Sequence, residues 1–374
     1  MTKRTAIVAG ATGIVGRALL AHLSGSGWSA IGLSRRPIAP GFGTQSIALD
    51  LSDRDQCDRE IAKLGPVTHI FYSAYAVAAS PVEETALNLA MLVNLVTSAE
   101  QSSPALQHVS IMQGSKWYGN HLGPYRTPAR EDDPRHAGPL FYYDQQDWLE
   151  QQQGGKRWTW SALRPHAIFG PADGGGMNHL LALAAYACVM RERGEPLCFP
   201  GTEAAFNALT QFTDAQLLAR ATSWVATTPH CANQAYNITN GEPDRWRNVW
   251  PSIARYFGMK AGPVKTQCLA ELMPANGELW ASLCHRHQLH QTALTGLADW
   301  AFADWSYRNG FDQISSLLKI RSAGWSNCLG TEDMLGALFD GLVSARILPP
   351  TERSDGQNPS SRKADPNQAW NKCK

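Results

Sequence analysis

Ala6-Ile7-Val8-Ala9-Gly10-Ala11-Thr12-Gly13-Ile14-Val15-Gly16 is the stretch whose reading decides the fold. Its first four residues form an apolar run of the kind found in a parallel strand buried on both faces. Ala18-Leu19-Leu20-Ala21-His22-Leu23 follows with helical spacing. Strand, glycine turn and helix in that order are the context in which such glycines read as a dinucleotide fingerprint. Gly10 allows a tight turn, Gly13 lets backbone approach a pyrophosphate, and Gly16 lets helix and strand pack closely. Thr12 and Ile14 lie where the helix N-terminus offers N–H donors and its positive dipole end to phosphate. The alternative is a plain glycine turn, and the flanking strand and helix argue against it.

Outward from this unit, Ser29-Ala30-Ile31-Gly32-Leu33-Ser34 reads as the second strand. A site for NAD usually ends this strand with an acid that accepts from the ribose 2′-OH. Here the strand runs into Ser34-Arg35-Arg36-Pro37. Two guanidiniums suit a 2′-phosphate by charge and planar donors, so NADP is expected over NAD. Ile47 to Asp53 is the third strand and its exit. Asp50, with Leu51 beside it, is placed to contact the adenine, or else simply caps the next helix. Thr68 to Ala74 is the fourth strand, with Ser73 and Ala74 at its carboxyl end. A helix over 81–100 precedes the fifth strand, His108-Val109-Ser110-Ile111-Met112.

That strand delivers Gln113-Gly114-Ser115-Lys116-Trp117-Tyr118-Gly119 to the nicotinamide side. Phe141 to Gln153 reads as a helix with Asp and Gln on its outer face, ended by Gly154-Gly155. Trp158 to Leu163 is the sixth strand, and Arg164-Pro165-His166-Ala167-Ile168-Phe169-Gly170 leaves it, bringing Pro165 and Ile168 toward the cofactor. Alternating strands and helices predict an α/β fold, a Rossmann-type doubly wound parallel sheet over residues 1–170.

Beyond Gly170 the pattern changes. Gly174-Gly175-Gly176 opens a loop, and Met177 to Met190 is an apolar helix. Glu195 to Pro200 reads as a short strand, and Asp214 to Thr227 as a helix. Gln234-Ala235-Tyr236-Asn237-Ile238-Thr239-Asn240-Gly241 is a strand expected to return to the main sheet. Residues from about 245 to 347 read as helical, with Trp246, Trp250, Trp280, Trp300 and Trp305 mostly in a core. The stretch 171–348 is thus expected to be largely a smaller, mostly helical substrate cap closing over the cofactor. From Pro349 the chain turns polar and is expected to be a disordered tail, 349–374.

With 374 residues, 44% hydrophobic, the chain can bury one large core or two coupled ones. A net charge of +1 gives no electrostatic case for nucleic acid or an anionic membrane. Met1-Thr2-Lys3-Arg4-Thr5 runs straight into a strand with no apolar signal core, and no run is long enough to span a bilayer. A soluble cytoplasmic protein is expected. Eight scattered cysteines without a CxxC pair read as reduced thiols. In Cys284-His285-Arg286-His287-Gln288-Leu289-His290 a helix would put His287 and His290 on one face. No second ligand pair accompanies them, so a solvated helix end is preferred to a metal site.

Short-chain reductases of the extended type generally carry Tyr and, four residues later, Lys on one helix, where the ammonium lowers the phenol pKa. Here Tyr142 is followed four later by Gln146, and Tyr143 by Asp147. The serine place before Tyr118-Gly119 is Gly114. An ordinary alcohol–ketone site has been dismantled, while Lys116 remains at the end of the fifth strand.

Gly114-Ser115-Lys116-Trp117-Tyr118 and Phe141-Tyr142-Tyr143-Asp144 resemble the Gly-x-Lys-x-Tyr and Phe-Tyr-Tyr segments of the progesterone 5β-reductase/iridoid synthase-like family of short-chain dehydrogenases/reductases. The resemblance also covers Ser34-Arg35-Arg36, the 164–170 segment, Met177-Asn178 and Tyr236 to Gly241, and so runs to about residue 348. Trp117 stands where the family often has His, and the loop from Lys116 to Tyr142 is shorter than in plant members; both differences bear on the substrate.

What the resemblance implies is NADPH-dependent 1,4-reduction of the activated C=C bond of an enone or enal. Tyr142 is then the donor to the enolate oxygen, with Lys116 supplying positive potential and holding the nicotinamide ribose or the tyrosine. Tyr142 is preferred to Tyr143 because the family's first tyrosine of the pair matches it, and neighbours on a helix point about 100° apart. The cofactor is expected at Gly10, Thr12, Gly13, Ile14, Gly16, Ser34, Arg35, Arg36, Asp50, Leu51, Ser73, Ala74, Gln113, Lys116, Tyr142, Pro165 and Ile168. The wider family suggests a homodimer through helices 81–100 and 141–153. The alternatives are a nucleotide-sugar epimerase or dehydratase, and a non-catalytic NADP-sensing protein.

Overall fold

In the computed structural model, which describes residues 4–37, 45–172, 176–290 and 293–351, seven parallel strands form one sheet. They are β1 (Thr5–Ala9), β2 (Ser29–Ser34), β3 (Gln45–Ala48), β4 (His69–Tyr72), β5 (His108–Met112), β6 (Thr159–Pro165) and β7 (Gln234–Ile238). Their order is β7-β6-β5-β4-β1-β2-β3. Ile7 lies between Ile31 of β2 and Ile70 of β4, and Ile70 faces Val109 of β5. Ile7, Ile70 and Val109 are wholly buried. Each such side chain contributes about 1.5–3 kcal/mol by leaving water, which is why uninterrupted apolar runs became the central strands. The order reverses between β1 and β4, and doubly wound sheets bind ligands at the carboxyl ends beside such a switch point.

The helices that matter for the site are α1 (Ile14–Gly25), α2 (Arg54–Ile61), α3 (Pro81–Ser102), α4 (Phe141–Gln153) and α5 (Ala215–Thr227). α3 starts where Ser80 accepts from the Glu83 N–H and Pro81 takes the first helical position. α5 starts where the Asp214 carboxylate accepts from the Leu217 N–H at 2.7 Å. α4 departs from its expected polar outer face. Asp144 and Asp147 are exposed, but Gln145 and Gln146 are buried. Gln145 donates through Nε2 to the Asn88 carbonyl of α3 at 2.9 Å, which ties the two helices together inside the protein.

The glycine turn works through close approach. Gly10 has φ +78°, and a Cβ there would lie 2.6 Å from the Ser73 carbonyl oxygen. A Cβ on Gly16 would lie 2.2 Å from the Gly10 carbonyl oxygen. Ser73 and Ala74 thus wall the turn from the β4 side.

Two compact units share the chain. The sheet unit draws on Met1–Asp173, Gln211–Thr239 and Asp312–Trp325, and the other on Gly174–Thr210, Asn240–Phe311 and Ser326–Lys374. The cap was expected as one block over 171–348 apart from the returning strand; instead 211–239 and 312–325 both return to the sheet unit. The first supplies α5 and β7, which pairs with β6 from Gln234 opposite Ser161 to Ile238 opposite Pro165. The second is tied by backbone: Ala129 donates to the Ile314 carbonyl and Ser316 to the Ala129 carbonyl, both at 2.7 Å.

Within the second unit, Leu197–Phe199 pairs in parallel with Ala261–Val264, so 245–347 is not purely helical. Its core holds Phe199, Trp246, Trp250 and Tyr307, with Trp250 donating to the Leu197 carbonyl. Trp305 is exposed. The expected tail, beyond Thr351, lies outside the described residues, as does most of the Gly174–Gly176 loop.

Gly16→Ala drives a methyl into the Gly10 carbonyl. It is expected to cost about 1–3 kcal/mol of stability, as overpacking does, read as a lowered urea midpoint at unchanged slope. A wild-type midpoint would contradict this packing.

Candidate active site

Two elements converge at the carboxyl end of β5. The strand runs into a single 3₁₀ turn, Ser115–Tyr118, which ends at Gly119 with φ +83°. α4 starts opposite it with Phe141, Tyr142 and Tyr143 in its first turn. A Cβ built on Gly114 would lie 3.4 Å from the Tyr142 hydroxyl and 3.5 Å from the Pro165 carbonyl oxygen. Glycine at the usual serine place therefore leaves the space beside this phenol clear. The Tyr142 hydroxyl has no hydrogen-bond partner among the described residues. Burial and the Glu84 carboxylate both raise its pKa above the ordinary 10.0, so it is a neutral phenol able to donate.

Tyr143 does something else. Its hydroxyl donates to the Trp117 carbonyl at 2.7 Å and accepts from the His136 N–H at 3.1 Å. Its ring meets Trp117 edge-on at 4.7 Å. The second phenol is thus a brace for the turn that carries Lys116. Lys116 itself is half-buried, and its ammonium has no ion pair or hydrogen bond among the described residues.

Beneath this pair lies a buried polar floor that sequence reasoning missed. Arg164 of β6 is 1% exposed. Its Nε donates to Gln113 Oε1 at 2.8 Å and its Nη2 to Gln146 Oε1 at 3.1 Å. Its Nη1 donates to the Tyr118 hydroxyl at 3.2 Å and to the Glu131 carbonyl at 3.0 Å. The guanidinium carbon lies 3.6 Å from the Trp117 ring centroid, a stacked cation–π contact. Tyr118 in turn donates to Asn237 Oδ1 of β7 at 2.6 Å, and burial pushes its phenol up to about 12. Ser115 Oγ is 2.9 Å from His166 Nδ1 and accepts from Asn120, while burial holds His166 down to about 4, hence neutral. The signal for Arg164 was a charged residue closing the otherwise apolar Trp158–Leu163 run; for Gln146 it was the missing lysine.

The expected cofactor residues gather at the same sheet end. α1 has Gly13 at its N-cap with no side-chain cap, so its first N–H groups remain available. A Cβ on Gly13 would meet nothing closer than the Gly10 carbonyl at 3.4 Å, leaving open space before the helix. Arg35 and Arg36 at the β2 exit are exposed, and their guanidiniums form no hydrogen bond or ion pair among the described residues. Ser34 Oγ donates to the Arg36 carbonyl and shapes that exit. Asp50 accepts from the Ser52 N–H and hydroxyl, while the cap of α2 is Asp53. The Leu51 carbonyl accepts from Asn94 at 2.9 Å. Thr12, Ile14 and Ile168 are partly exposed. These donors and this clearance suit a dinucleotide. Gln113 differs from the rest: its side chain turns inward to Arg164 and, through Nε2, to the Tyr142 carbonyl at 3.1 Å.

Comparison with known proteins adds three kinds of finding. Residues 48–349 match the model of the PRISE-like Rossmann-fold domain. The short chain dehydrogenase gsfE of Penicillium aethiopicum is 31% identical, over 92% of this chain and 99% of its own. The (S)-8-oxocitronellyl enol synthase of Catharanthus roseus is 30% identical over 93% of each chain. The 3-oxo-Delta(4,5)-steroid 5-beta-reductase of Arabidopsis thaliana is 32% identical, over 92% of this chain and 93% of its own. Among solved structures, the UDP-glucose 4-epimerase of Thermotoga maritima superposes with a TM-score of 0.67 at 14% identity, covering 91% of this chain and 99% of its own. At that identity the likeness concerns the fold alone. The glycine turn, the parallel sheet, the Lys116 turn facing the Tyr142 helix and the match over most of the chain place it in the PRISE-like Rossmann-fold family of short-chain dehydrogenases/reductases.

Proposed function

We propose that this oxidoreductase reduces the C=C bond of an α,β-unsaturated ketone or aldehyde with NADPH. The observation that carries the reading is the Tyr142 hydroxyl, unpaired among the described residues, beside Gly114, which lies two residues before Lys116. The names of relatives support it. In a 3-oxo-Delta(4,5)-steroid the carbonyl and double bond are conjugated, and an enol synthase forms the species that hydride addition to a conjugated carbonyl leaves behind.

NADPH, when bound, supplies the hydride to the substrate's β-carbon. Charge then gathers on the former carbonyl oxygen as an enolate, which needs a fixed donor away from water. Tyr142 is that donor, neutral because burial and Glu84 keep its proton on. Lys116 adds positive potential and holds the ribose or the phenol. Gly13 and the α1 N-terminus hold the diphosphate, and Arg35 and Arg36 hold the 2′-phosphate. The substrate is a small molecule, and the protein acts in the cytoplasm.

Three outcomes test the reading. Tyr142→Phe is expected to lower kcat for cyclohexenone or progesterone by about 100- to 1,000-fold, the cost of removing one oxyanion donor, while NADPH still quenches tryptophan fluorescence with wild-type affinity. A variant as fast as wild type would sink the role. The raised Tyr142 pKa places loss of its proton on the alkaline side, so kcat should show no alkaline fall below about pH 10. Arg35→Ala with Arg36→Ala should weaken NADPH binding by about tenfold or more and leave NADH binding unchanged; equal effects on both cofactors would refute the 2′-phosphate assignment.

A further inference from the structure

Gln146 stands four residues after Tyr142, at the place where ordinary short-chain reductases carry their lysine. Its amide is not idle. Gln146 Oε1 accepts from Arg164 Nη2 at 3.1 Å and from Gln113 Nε2 at 3.2 Å. Gln113 Nε2 also donates to the Tyr142 carbonyl, and Gln113 Oε1 accepts from Arg164 Nε. Gln113 is the first residue after β5 and begins the turn that carries Lys116; Gln146 and Tyr142 share α4. The planar guanidinium thus bonds one partner on each side and stacks under Trp117 between them. Among the described residues no carboxylate bonds to it. The Glu131 carboxylate instead accepts from the Asn237 N–H at 2.7 Å. Four carbonyl or hydroxyl oxygens and a ring face satisfy the buried charge, a fixed directional set.

We infer that Arg164, acting through Gln113 and Gln146, is the positioning residue that holds the Lys116 turn against the Tyr142 helix, and that its need for an acceptor excludes a lysine from position 146. The purpose of that geometry rests on the reductase reading; the lock itself does not. An ammonium in place of the Gln146 amide could pair with the Glu150 carboxylate, which now accepts from Gln146 Nε2 at 2.9 Å, but it could accept nothing, so Arg164 Nη2 and Gln113 Nε2 would lose their shared oxygen and face a cation instead. With Arg164 under the turn, the ammonium of the site comes from Lys116 on the other element.

Three variants and a control test this. Gln146→Lys restores the usual Tyr-x-x-x-Lys spacing, yet kcat should fall by about 100-fold, the scale of a misplaced donor, with NADPH affinity unchanged. Adding Arg164→Met to Gln146→Lys should recover part of that rate, because the buried donor left without its acceptor is gone. Gln146→Met removes the acceptor without adding charge. It should lower kcat per folded molecule and speed amide exchange at 113–118, whereas Gln151→Met, on an exposed position of the same helix, should change neither. A purely structural role would lower the melting temperature and leave kcat per folded molecule untouched. Wild-type kcat in Gln146→Lys, or wild-type exchange at 113–118 in Gln146→Met, overturns the inference. If Gln146→Lys does not fold, the exchange measurement on Gln146→Met decides. If wild type turns over no enone, the reductase reading fails by itself and the exchange arms still judge the lock.

Discussion

One buried guanidinium ties together the elements at the carboxyl end of the sheet. Arg164 reaches the β5 exit through Gln113, α4 through Gln146, and the segment before α4 through the Glu131 carbonyl. Through Tyr118 it reaches Asn237 on β7, whose side-chain amide donates to the Ala129 and Ser316 carbonyls. Removing a planar cation from water is costly unless every donor finds an oxygen. That requirement fixes the partners more sharply than apolar packing would. Hydrophobic burial brings β5, β6 and α4 to the same region, and the directional bonds choose one relative placement.

The same burial sets the charge state of the neighbourhood. His166 is held neutral, Tyr118 keeps its proton, and Tyr142 is raised above the ordinary phenol value. In the usual short-chain site an ammonium beside the phenol lowers its pKa so that it can exchange a proton with an alcohol. Here the phenol is kept protonated, which suits a donor to an oxyanion and not a base toward an alcohol. The exchange of Lys for Gln at position 146 and of Ser for Gly at position 114 thus act in one direction.

Much of the fold could be read from local chemistry, and the reason is that its signals are local. The strands Ser29–Ser34 and His108–Met112 and the helix Phe141–Gln153 are bounded by turns and glycines that sequence displays directly. The glycine turn needed only three residues and their flanks. The return of β7 to the sheet was expected from the strand read at Gln234 to Gly241, and it pairs with β6. What could not be read is long-range and polar. Arg164 finds Gln113 and Gln146 across 51 and 18 residues, and nothing in periodicity distinguishes a buried, bonded glutamine from a solvated one. The 312–325 segment returns to the sheet unit through backbone bonds at Ala129 and a bond from the Ser315 N–H to Gln211, and backbone pairing leaves no side-chain pattern. The motif named Lys116 and Tyr142 but not the residues beneath them.

Adjacent tyrosines on α4 show how the helix divides labour. About 100° of rotation separates their side chains. Tyr143 turns toward the Lys116 turn, where the Trp117 carbonyl and the His136 N–H take both functions of its hydroxyl, and Arg135 lies 5.0 Å from its ring centroid. A hydroxyl engaged on both sides has nothing left for a substrate oxygen. Tyr142 turns toward Gly114, where no Cβ intervenes, and keeps its donor unspent. The two phenols are chemically equal in sequence; the partners each one meets make one a brace and leave the other free to react.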